Sequence, residues 1–360
     1  MQVKLFEDYI DPALDCATTE AQAWPSASIT QHIAWPKVAT PSRVQRYRAF
    51  TCTDAGGQIV SSGLIRLTKL CPGRFSATLR RGPSTRSPND LWQVMPALEK
   101  ALHKVGAISI SVNPFWRNED AKTSEAILAQ LGYARVENYE QTLPTATAMI
   151  DLHRSEEAML ASLSSRRQRD LRAVRAGTVA VRTVGSMGEA THLTKIMREM
   201  ATRTNMEIDS KHDFGSLFRF LKERPHLGVM NAAIMDDKII GGSVMFYEGD
   251  RGLLNMVTAV PGLKGGRSTS LYWQAILDAK EHGCRWLDMD GYPDPRDTCR
   301  EGAAGRQEFK DSFHPVVMTL APIMSRALRP IEARAYRGLR RFYRKSQWKT
   351  QIKALLHQSD

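Results

Sequence analysis

Several features that define common protein classes are missing from this 360-residue sequence. No apolar run reaches the about 18 residues that a membrane-spanning helix needs, and the N-terminus lacks the apolar segment of a secretory signal. The five cysteines, at positions 16, 52, 71, 284 and 299, form no Cys-x-x-Cys pair and no zinc-type spacing with histidine. The nine histidines are scattered without i, i+4 pairs. We therefore expect a cytoplasmic protein with reduced thiols, no bound metal and no resident cofactor.

The charge is unevenly distributed. Lys and Arg exceed Asp and Glu by 50 to 38, and residues 326–353 hold ten basic residues against a single acidic one, Glu332. Ile331, Ala335 and Leu339 recur there at helical spacing, which predicts an amphipathic basic helical tail. Such a tail suits RNA or an anionic membrane surface, and its composition does not decide between these two partners.

One plan of strands and helices occurs twice, and 360 residues exceed what one hydrophobic core usually supports. In the first half, alternation and helical periodicity predict strands at 47–53, 58–68 and 75–79, a helix at 88–105, a strand at 107–112, a helix at 121–131 and a strand near 140–143. In the second half they predict a helix at 155–176, a strand at 179–184, helices at 187–205 and 214–223, strands at 229–235, 239–247 and 252–258, a helix at 270–282 and a strand at 285–289.

Each half thus places a helix and a crossover strand after an antiparallel meander. This order resembles the GCN5-related N-acetyltransferase (GNAT) fold. We expect an α+β protein with two tandem GNAT-like domains, residues 1–147 on the acceptor side and 148–322 on the donor side, followed by a basic helical tail at 323–360.

A glycine-rich turn precedes the predicted helix at 270–282. Lys264, Gly265, Gly266 and Arg267 lie where free backbone N–H groups at a helix start would suit a phosphate. In GNAT enzymes the matching loop holds the coenzyme A pyrophosphate. A plain turn without a ligand is the alternative for these residues.

Longer motifs resemble the FemABX family of aminoacyltransferases, which build peptidoglycan interpeptide bridges. The most specific are Ala279-Lys280-Glu281-His282-Gly283, Leu287-Asp288-Met289-Asp290-Gly291 and Phe309-Lys310-Asp311-Ser312-Phe313. Collinear matches are Ser28 to Lys37, Arg81-Gly82-Pro83, Leu131-Gly132-Tyr133 and the arginine-rich segment 162–177. With no long coiled-coil insertion, the chain is most similar to the compact, FemX-like form.

The sequence also departs from the family pattern. Asp290-Gly291 stands where the family has a glycine pair, residues 252–258 lack its tyrosines, and residues 209–214 lack the arginine and tyrosine that many members place near the acceptor. These positions lie where members of the family recognise the acceptor, so the differences concern the identity of the acceptor.

The resemblance implies transfer of an amino acid from aminoacyl-tRNA, the co-substrate, to an amine of a peptidoglycan precursor, by a monomeric enzyme. The ester is already activated, so the protein has to position the reactants and stabilise the oxyanion. Three alternatives remain open: a small peptide-like acceptor, an acyl-coenzyme A donor, and a non-enzymatic RNA- or membrane-binding protein.

The resemblance and the chemistry select two catalytic candidates. Lys310 is expected to contact the oxyanion or a phosphate, and its alternative is a solvated lysine in a strand. Asp288 is expected to orient the amine or accept its proton, and its alternative is a buried carboxylate that caps a neighbouring turn. Asp290 is a weaker candidate.

The binding candidates fall into two groups. The acceptor group consists of Lys37, Arg81, Lys211, Phe309 and Phe313. The donor or phosphate group consists of Lys264, Gly265, Gly266, Arg267, Arg166 and Arg169; for the last two, a solvated helix face is the alternative.

Overall fold

The computed structural model describes residues 1–7, 12–137, 140–204, 206–261, 267–294, 296 and 304–345. The first half of the chain forms β1 (Gln2–Phe6), α1 (Pro12–Gln22), β2 (Gln45–Thr53), β3 (Ile59–Cys71), β4 (Arg74–Leu79), β5 (Ser84–Thr85), α2 (Leu91–Lys104), β6 (Ala107–Val112), α3 (Asn118–Gln130) and β7 (Ala134–Arg135). Helix α2 follows a capping box made by Ser87 and Asp90. Its apolar stripe, which includes Leu91 and Met95, is fully buried.

The second half begins with a strand that belongs to a new sheet. Its elements are β8 (Ala146–Asp151), α4 (Glu156–Ser162), α5 (Ser165–Arg175), β9 (Ala180–Thr183), α6 (Met187–Thr204), α7 (Phe214–Glu223), β10 (Gly228–Met235), β11 (Lys238–Glu248), β12 (Arg251–Ala259), α8 (Arg267–Glu281), β13 (Trp286–Gly291), α9 (Ala304–Asp311), β14 (Val316–Thr319), β15 (Met324–Ala327) and α10 (Pro330–Lys345).

Two mixed sheets form the framework of the described residues. The first has the order β1-β2-β3-β4-β6-β15-β7, with β5 beside β3, and the second has the order β14-β8-β13-β12-β11-β10-β9. In each sheet an antiparallel meander (β2-β3-β4 and β10-β11-β12) is followed by a helix, α2 or α8, that leads to a parallel neighbour, β6 or β13. The predicted α+β fold with a repeated GNAT-like plan is therefore confirmed.

Two predicted elements and one alternative are wrong in detail. The predicted helix at 155–176 is two helices, because the chain breaks at the buried Leu163 and Ser164 caps α5 by accepting a hydrogen bond from the Arg167 N–H. No strand forms at 140–143, where the Gln141 side chain donates to Leu143 O and accepts from Ile323 N. The Phe309–Phe313 segment lies in and after helix α9, so the alternative of a strand lysine at Lys310 is also wrong.

The tail differs from its prediction at its start. Residues 324–327 form strand β15, which pairs with β6 and β7 of the first sheet and buries Met324 in the first core. Helix α10 follows as predicted, up to residue 345. The chain thus returns to the first domain after completing the second, because the edge of β6 needs a partner strand.

The two halves share a hydrophobic core. Ile29, Trp35 and Leu64 from the first half pack with Phe220 and Phe246 from the second in one cluster. The Trp35 and Phe246 rings meet edge to face with centroids 5.8 Å apart. Shared packing of this kind fixes the two sheets relative to one another. In the described part of the chain, no helix is both long and apolar enough to cross a membrane.

Candidate active site

The second sheet opens along one parallel pair of strands. β12 and β13 pair at only three positions, ending at Leu253 and Asp288. Beyond that point β13 stays with β8, as far as the pairing of Gly291 with Thr147, while β12 continues beside β11 to Ala259. In the described residues, no strand pairs after Leu253 with the side of β12 that faces β13. We call the space between residues 254–259 and 289–291 the strand opening.

A β-bulge lies at the inner end of the strand opening. Val244 on β11 pairs with Met256, and Met245 pairs with Leu254, so Asn255 is the extra residue on β12. A bulge redirects the local backbone groups, and the unpaired edge of β12 leaves N–H groups available to a bound molecule. Backbone N–H groups of this kind stabilise a developing oxyanion.

Lys310 and Asp288 fix the outer rim of the strand opening. The Lys310 ammonium donates hydrogen bonds to Asp290 O (2.8 Å) and Gly291 O (2.7 Å). Asp288 Oδ1 accepts a hydrogen bond from Asp290 N (2.8 Å). A methyl group at Gly291 would lie 2.7 Å from Pro144 Cγ, so the strand passes very close to that ring. The backbone of Asp290 is thereby held on both sides.

Asp290 has an unusual backbone conformation. Its φ of 60° is costly for a residue with a side chain, although Asp tolerates it better than most. Its carboxylate is exposed at the rim and interacts electrostatically with Arg80 and Arg81 of the first domain and with Tyr272 on α8. The clamped backbone therefore presents an exposed carboxylate beside the positive charges of the first domain.

An aromatic cluster forms the wall behind the rim. Phe309 and Phe313 pack against Tyr272, with ring centroids 4.9 and 5.6 Å away. Burial, together with the nearby Asp290, raises the pKa of Tyr272 to about 12, so its hydroxyl stays protonated at neutral pH. Arg167 stacks 4.5 Å from the Phe309 ring and donates to Ser312 Oγ (3.0 Å).

Arg80 and Arg81 bring positive charge from the first domain. Gln31, from the early FemABX-like segment, lies beside the backbone of Gly63 and Gly82 and donates to Arg80 O (2.8 Å). Arg81 is buried and donates to Pro144 O (3.1 Å), while its Nη1 is buried without a protein partner. Burial lowers the pKa of Arg81 to about 10, which still leaves it charged at neutral pH.

Asp288 belongs to a buried ionic network beneath the rim. Its Oδ2 lies 3.5 Å from Arg251 Nε, and Thr147 donates to its Oδ1. Arg251 also donates to Glu248 and stacks 3.5 Å from the Phe115 ring. Burial raises the pKa values of Asp288 and Glu248, and Arg251 opposes both shifts.

The position of Asp288 favours the alternative role considered for it. Its relative exposure is 1%, and one carboxylate oxygen caps the turn at Asp290. The network reaches the first domain directly, because Arg251 donates to Ala27 O (2.9 Å) and Glu248 accepts from Ile29 N (2.5 Å). Asp288 therefore supports the rim and the domain contact, and Asp290 is the exposed carboxylate at the rim.

The remaining predicted site residues lie in several places. Lys37 pairs with Glu223 (3.0 Å) across the domain boundary, and Lys211 pairs with Asp209 (3.1 Å). Arg166 and Arg169 are exposed on α5. Lys264, Gly265 and Gly266 lie outside the described residues, and Arg267 is the first residue of α8. Within the described residues, no group of three His, Cys, Asp or Glu side chains is placed to hold a metal ion.

A polar cavity of roughly 880 Å³ lies in the first domain. Hydroxyl groups from β4, β6 and β15 line it, including Thr78, Ser111 and Ser325, together with Arg66. Arg66 also interacts electrostatically with Arg80 and Tyr47, so this lining residue of the cavity lies near an arginine that interacts with the rim carboxylate, Asp290. This polar sheet face was not predicted from the sequence. Ser109 and Ser111, two residues apart in β6, are the pattern that indicates it.

Comparison with known proteins supports this architecture. Residues 163–311 match the model of the acetyltransferase (GNAT) domain. The crystal structure of FemX superposes with a TM-score of 0.78 at 11% identity, covering 93% of this chain and 99% of FemX. The chain has a FemX-like tandem GNAT fold. The predicted resemblance is thus confirmed at the level of the fold, and residues 163–311 match a GNAT domain.

Two further structures resemble the FemX-like chain over most of its length. L-PGS from Bacillus licheniformis has a TM-score of 0.55 at 14% identity, covering 91% of this chain and 96% of that one. A tandem GNAT protein from the clavulanic acid biosynthesis pathway has a TM-score of 0.50 at 10% identity, covering 91% and 99%. No curated protein sequence matches significantly.

Proposed function

We propose that this protein is an aminoacyltransferase that moves an amino acid from aminoacyl-tRNA to an acceptor amine. The observation that carries the proposal is the strand opening in the second domain, whose rim carboxylate, Asp290, interacts electrostatically with Arg80 and Arg81 of the first domain. We infer aminoacyl-tRNA as the donor from the FemABX-like motifs, because these motifs surround the strand opening. Residues 288–291 form its rim, and Lys310 donates hydrogen bonds to that rim.

The strand opening suits an activated ester. An aminoacyl group can lie along the free edge of β12, where backbone N–H groups near Asn255 donate hydrogen bonds to the developing oxyanion of the attacked carbonyl. Lys310 adds positive charge close to the rim, and the Tyr272, Phe309 and Phe313 rings limit the access of water. Exposed Arg166 and Arg169 on α5 suit tRNA phosphates.

The first domain suits a polar acceptor. Its hydroxyl-lined cavity is large enough for a sugar or a short peptide, and the buried Arg81 has an unpaired guanidinium nitrogen. A cell-wall precursor has hydroxyl, carboxylate and phosphate groups that could satisfy these donors. A small peptide-like metabolite is the alternative acceptor.

In the proposed reaction the acceptor amine attacks the ester carbonyl, and a new C–N bond forms. The carboxylate of Asp290 hydrogen-bonds the amine and accepts its proton as the tetrahedral intermediate forms. The bond from the carbonyl carbon to the ribose oxygen then breaks, and that oxygen takes the proton from Asp290 as it leaves, which regenerates the carboxylate. The amide product and deacylated tRNA balance the equation.

The test is transfer of radiolabelled amino acids from total charged tRNA to a cell extract. We expect labelled product that disappears after RNase treatment of the tRNA and is about a hundredfold lower with Lys310→Ala. Lys280→Ala is the matched control, because Lys280 also donates to two backbone carbonyls, Leu152 O and Arg154 O, at another place in the same domain. Equal loss in both variants would contradict a special role for Lys310.

An acyl-coenzyme A donor is the second candidate, because the matching domain model is that of an acetyltransferase. It predicts turnover with acyl-coenzyme A in the absence of tRNA. Such turnover, with no transfer from any charged tRNA, would replace the first proposal.

A further inference from the structure

Helix α10 is attached to the first domain along one side. Ala333 is buried and Tyr336 is half-buried against the cavity. Glu332 is paired with Arg74, and Arg329 donates to His103 O (3.2 Å). These contacts hold the first two turns of the helix in a fixed orientation.

The opposite side of α10 is apolar and exposed. Ile331 and Leu339 have relative exposures of 86% and 58%, the two highest among the exposed large apolar residues described. Ala335 lies between them at i+4 and is also exposed. These three residues, Ile331, Ala335 and Leu339, are the α10 stripe.

Basic residues border the α10 stripe. Arg334 is exposed beside it, three residues after Ile331, and Arg337 is exposed one turn further along the helix. A helix with an exposed apolar face and a basic border matches the chemistry of an anionic lipid surface, where apolar side chains enter the acyl boundary and cations meet the headgroups.

We propose that α10 lies on an anionic bilayer and inserts the α10 stripe into it. A second copy of the chain fits this surface less well, because it would bring two strongly basic helices together. RNA fits it less well too, because phosphates give no contact to the exposed isoleucine and leucine. Tyr336 and Arg337 line the polar cavity, so a bound α10 would hold this cavity near the membrane surface.

Vesicle sedimentation of the full-length protein tests this proposal. The vesicles contain phosphatidylcholine alone or with about 30% phosphatidylglycerol, an anionic lipid. The stripe variant carries Ile331→Asp and Leu339→Asp. Its matched control carries Val44→Asp and Met187→Asp, which add the same charge at exposed apolar residues elsewhere (54% and 39% exposed).

We expect wild type and the control to sediment with the anionic vesicles and far less with phosphatidylcholine alone. The stripe variant should partition at least about 30-fold more weakly, because two large apolar side chains no longer insert. Unchanged thermal unfolding of the stripe variant shows that it folds.

Three results would overturn the proposal. They are equal binding of both double variants, a dimer that depends on Ile331 and Leu339, and binding of total tRNA through Arg334 without any binding to anionic vesicles. None of these results depends on the aminoacyl transfer reaction.

Discussion

The two domains repeat one plan but treat their parallel strand pair differently. In the first domain, β4 and β6 pair up to Leu79 and Val112, at the ends of both strands. In the second, β12 and β13 separate after Leu253 and Asp288, and a bulge at Asn255 marks the separation. The first pair is closed and the second is open.

Because of this difference, the two similar domains offer different kinds of site. Only an open parallel pair offers an unpaired backbone edge at the centre of a sheet, where an acyl group can be held against N–H groups. The closed first domain instead presents a polar sheet face with a cavity. Repetition of a fold therefore does not imply repetition of a site.

The largest effect is expected from breaking the ionic network beneath the strand opening. Arg251→Leu leaves Asp288 and Glu248 as buried carboxylates without their cation, which should lower the free energy of unfolding by about 3–5 kcal/mol. The control Arg326→Leu removes a more exposed pair with Glu99 and should cost about 1 kcal/mol or less. Urea denaturation measures both.

The same variant has a predicted pH dependence. Burial raises the folded-state pKa values of Asp288 and Glu248, so the folded state binds more protons than the unfolded state above their unfolded pKa values. The stability of Arg251→Leu should therefore rise as the pH falls from 7 toward their unfolded pKa values, relative to wild type. Parallel pH profiles of the two proteins would contradict this assignment.

Loss of the Lys310 clamp should mainly affect catalysis. Lys310→Ala frees the Asp290 and Gly291 carbonyls and removes a cation from the rim, so we expect about a hundredfold lower kcat. Thermal unfolding should change little, because Lys310 is only half-buried. A large fall in stability with unchanged kcat would make Lys310 a purely structural residue.

Replacement of Asp290 should separate stability from activity. Asp290→Gly relieves the positive φ and should raise stability by roughly 1 kcal/mol, yet it removes the carboxylate and should lower transfer at least about tenfold. Asp237→Gly, at φ 58° in the turn between β10 and β11, is the matched control. It should gain similar stability and keep full activity, as urea denaturation and transfer assays will measure.

The smallest change in the free energy of unfolding is expected for an ion pair at the edge of the contact between the domains. Arg117 makes two 2.9 Å hydrogen bonds to Asp250 across the domains, in a partly exposed position. Arg117→Met should cost about 1 kcal/mol, far less than Arg251→Leu. Urea denaturation compares the two variants, and similar losses would mean that the buried network is no more important than a peripheral ion pair.

Much of the fold could be predicted from local patterns. Period-two and period-3.6 apolar spacing predicted β6 and α7 to the residue, and the collinear motifs predicted the FemX-like fold. The break at Leu163 and the strand β15 escaped prediction, because a side-chain cap and a distant strand partner decided them.

For the candidate site, the structure can be compared with the sequence only in the placement of side chains. Asp288, the expected catalytic carboxylate, is buried, and Asp290, the weaker candidate, is exposed. Their catalytic roles stay predictions. Alternation puts Asp288 and Asp290 on one side of a regular strand. The turn at φ 60° and the Lys310 clamp turn Asp290 outward and leave Asp288 buried. Spacing alone does not encode that turn.

By itself, the sequence determined the repeated order of elements, the basic tail and the residues around the rim, because each depends on local chemistry or spacing. The tertiary structure alone decided three other features: the early separation of β12 from β13, the inter-domain network through Arg251, and the outward face of α10. Each depends on contacts between residues far apart in the chain, and a linear pattern does not specify which distant surfaces meet.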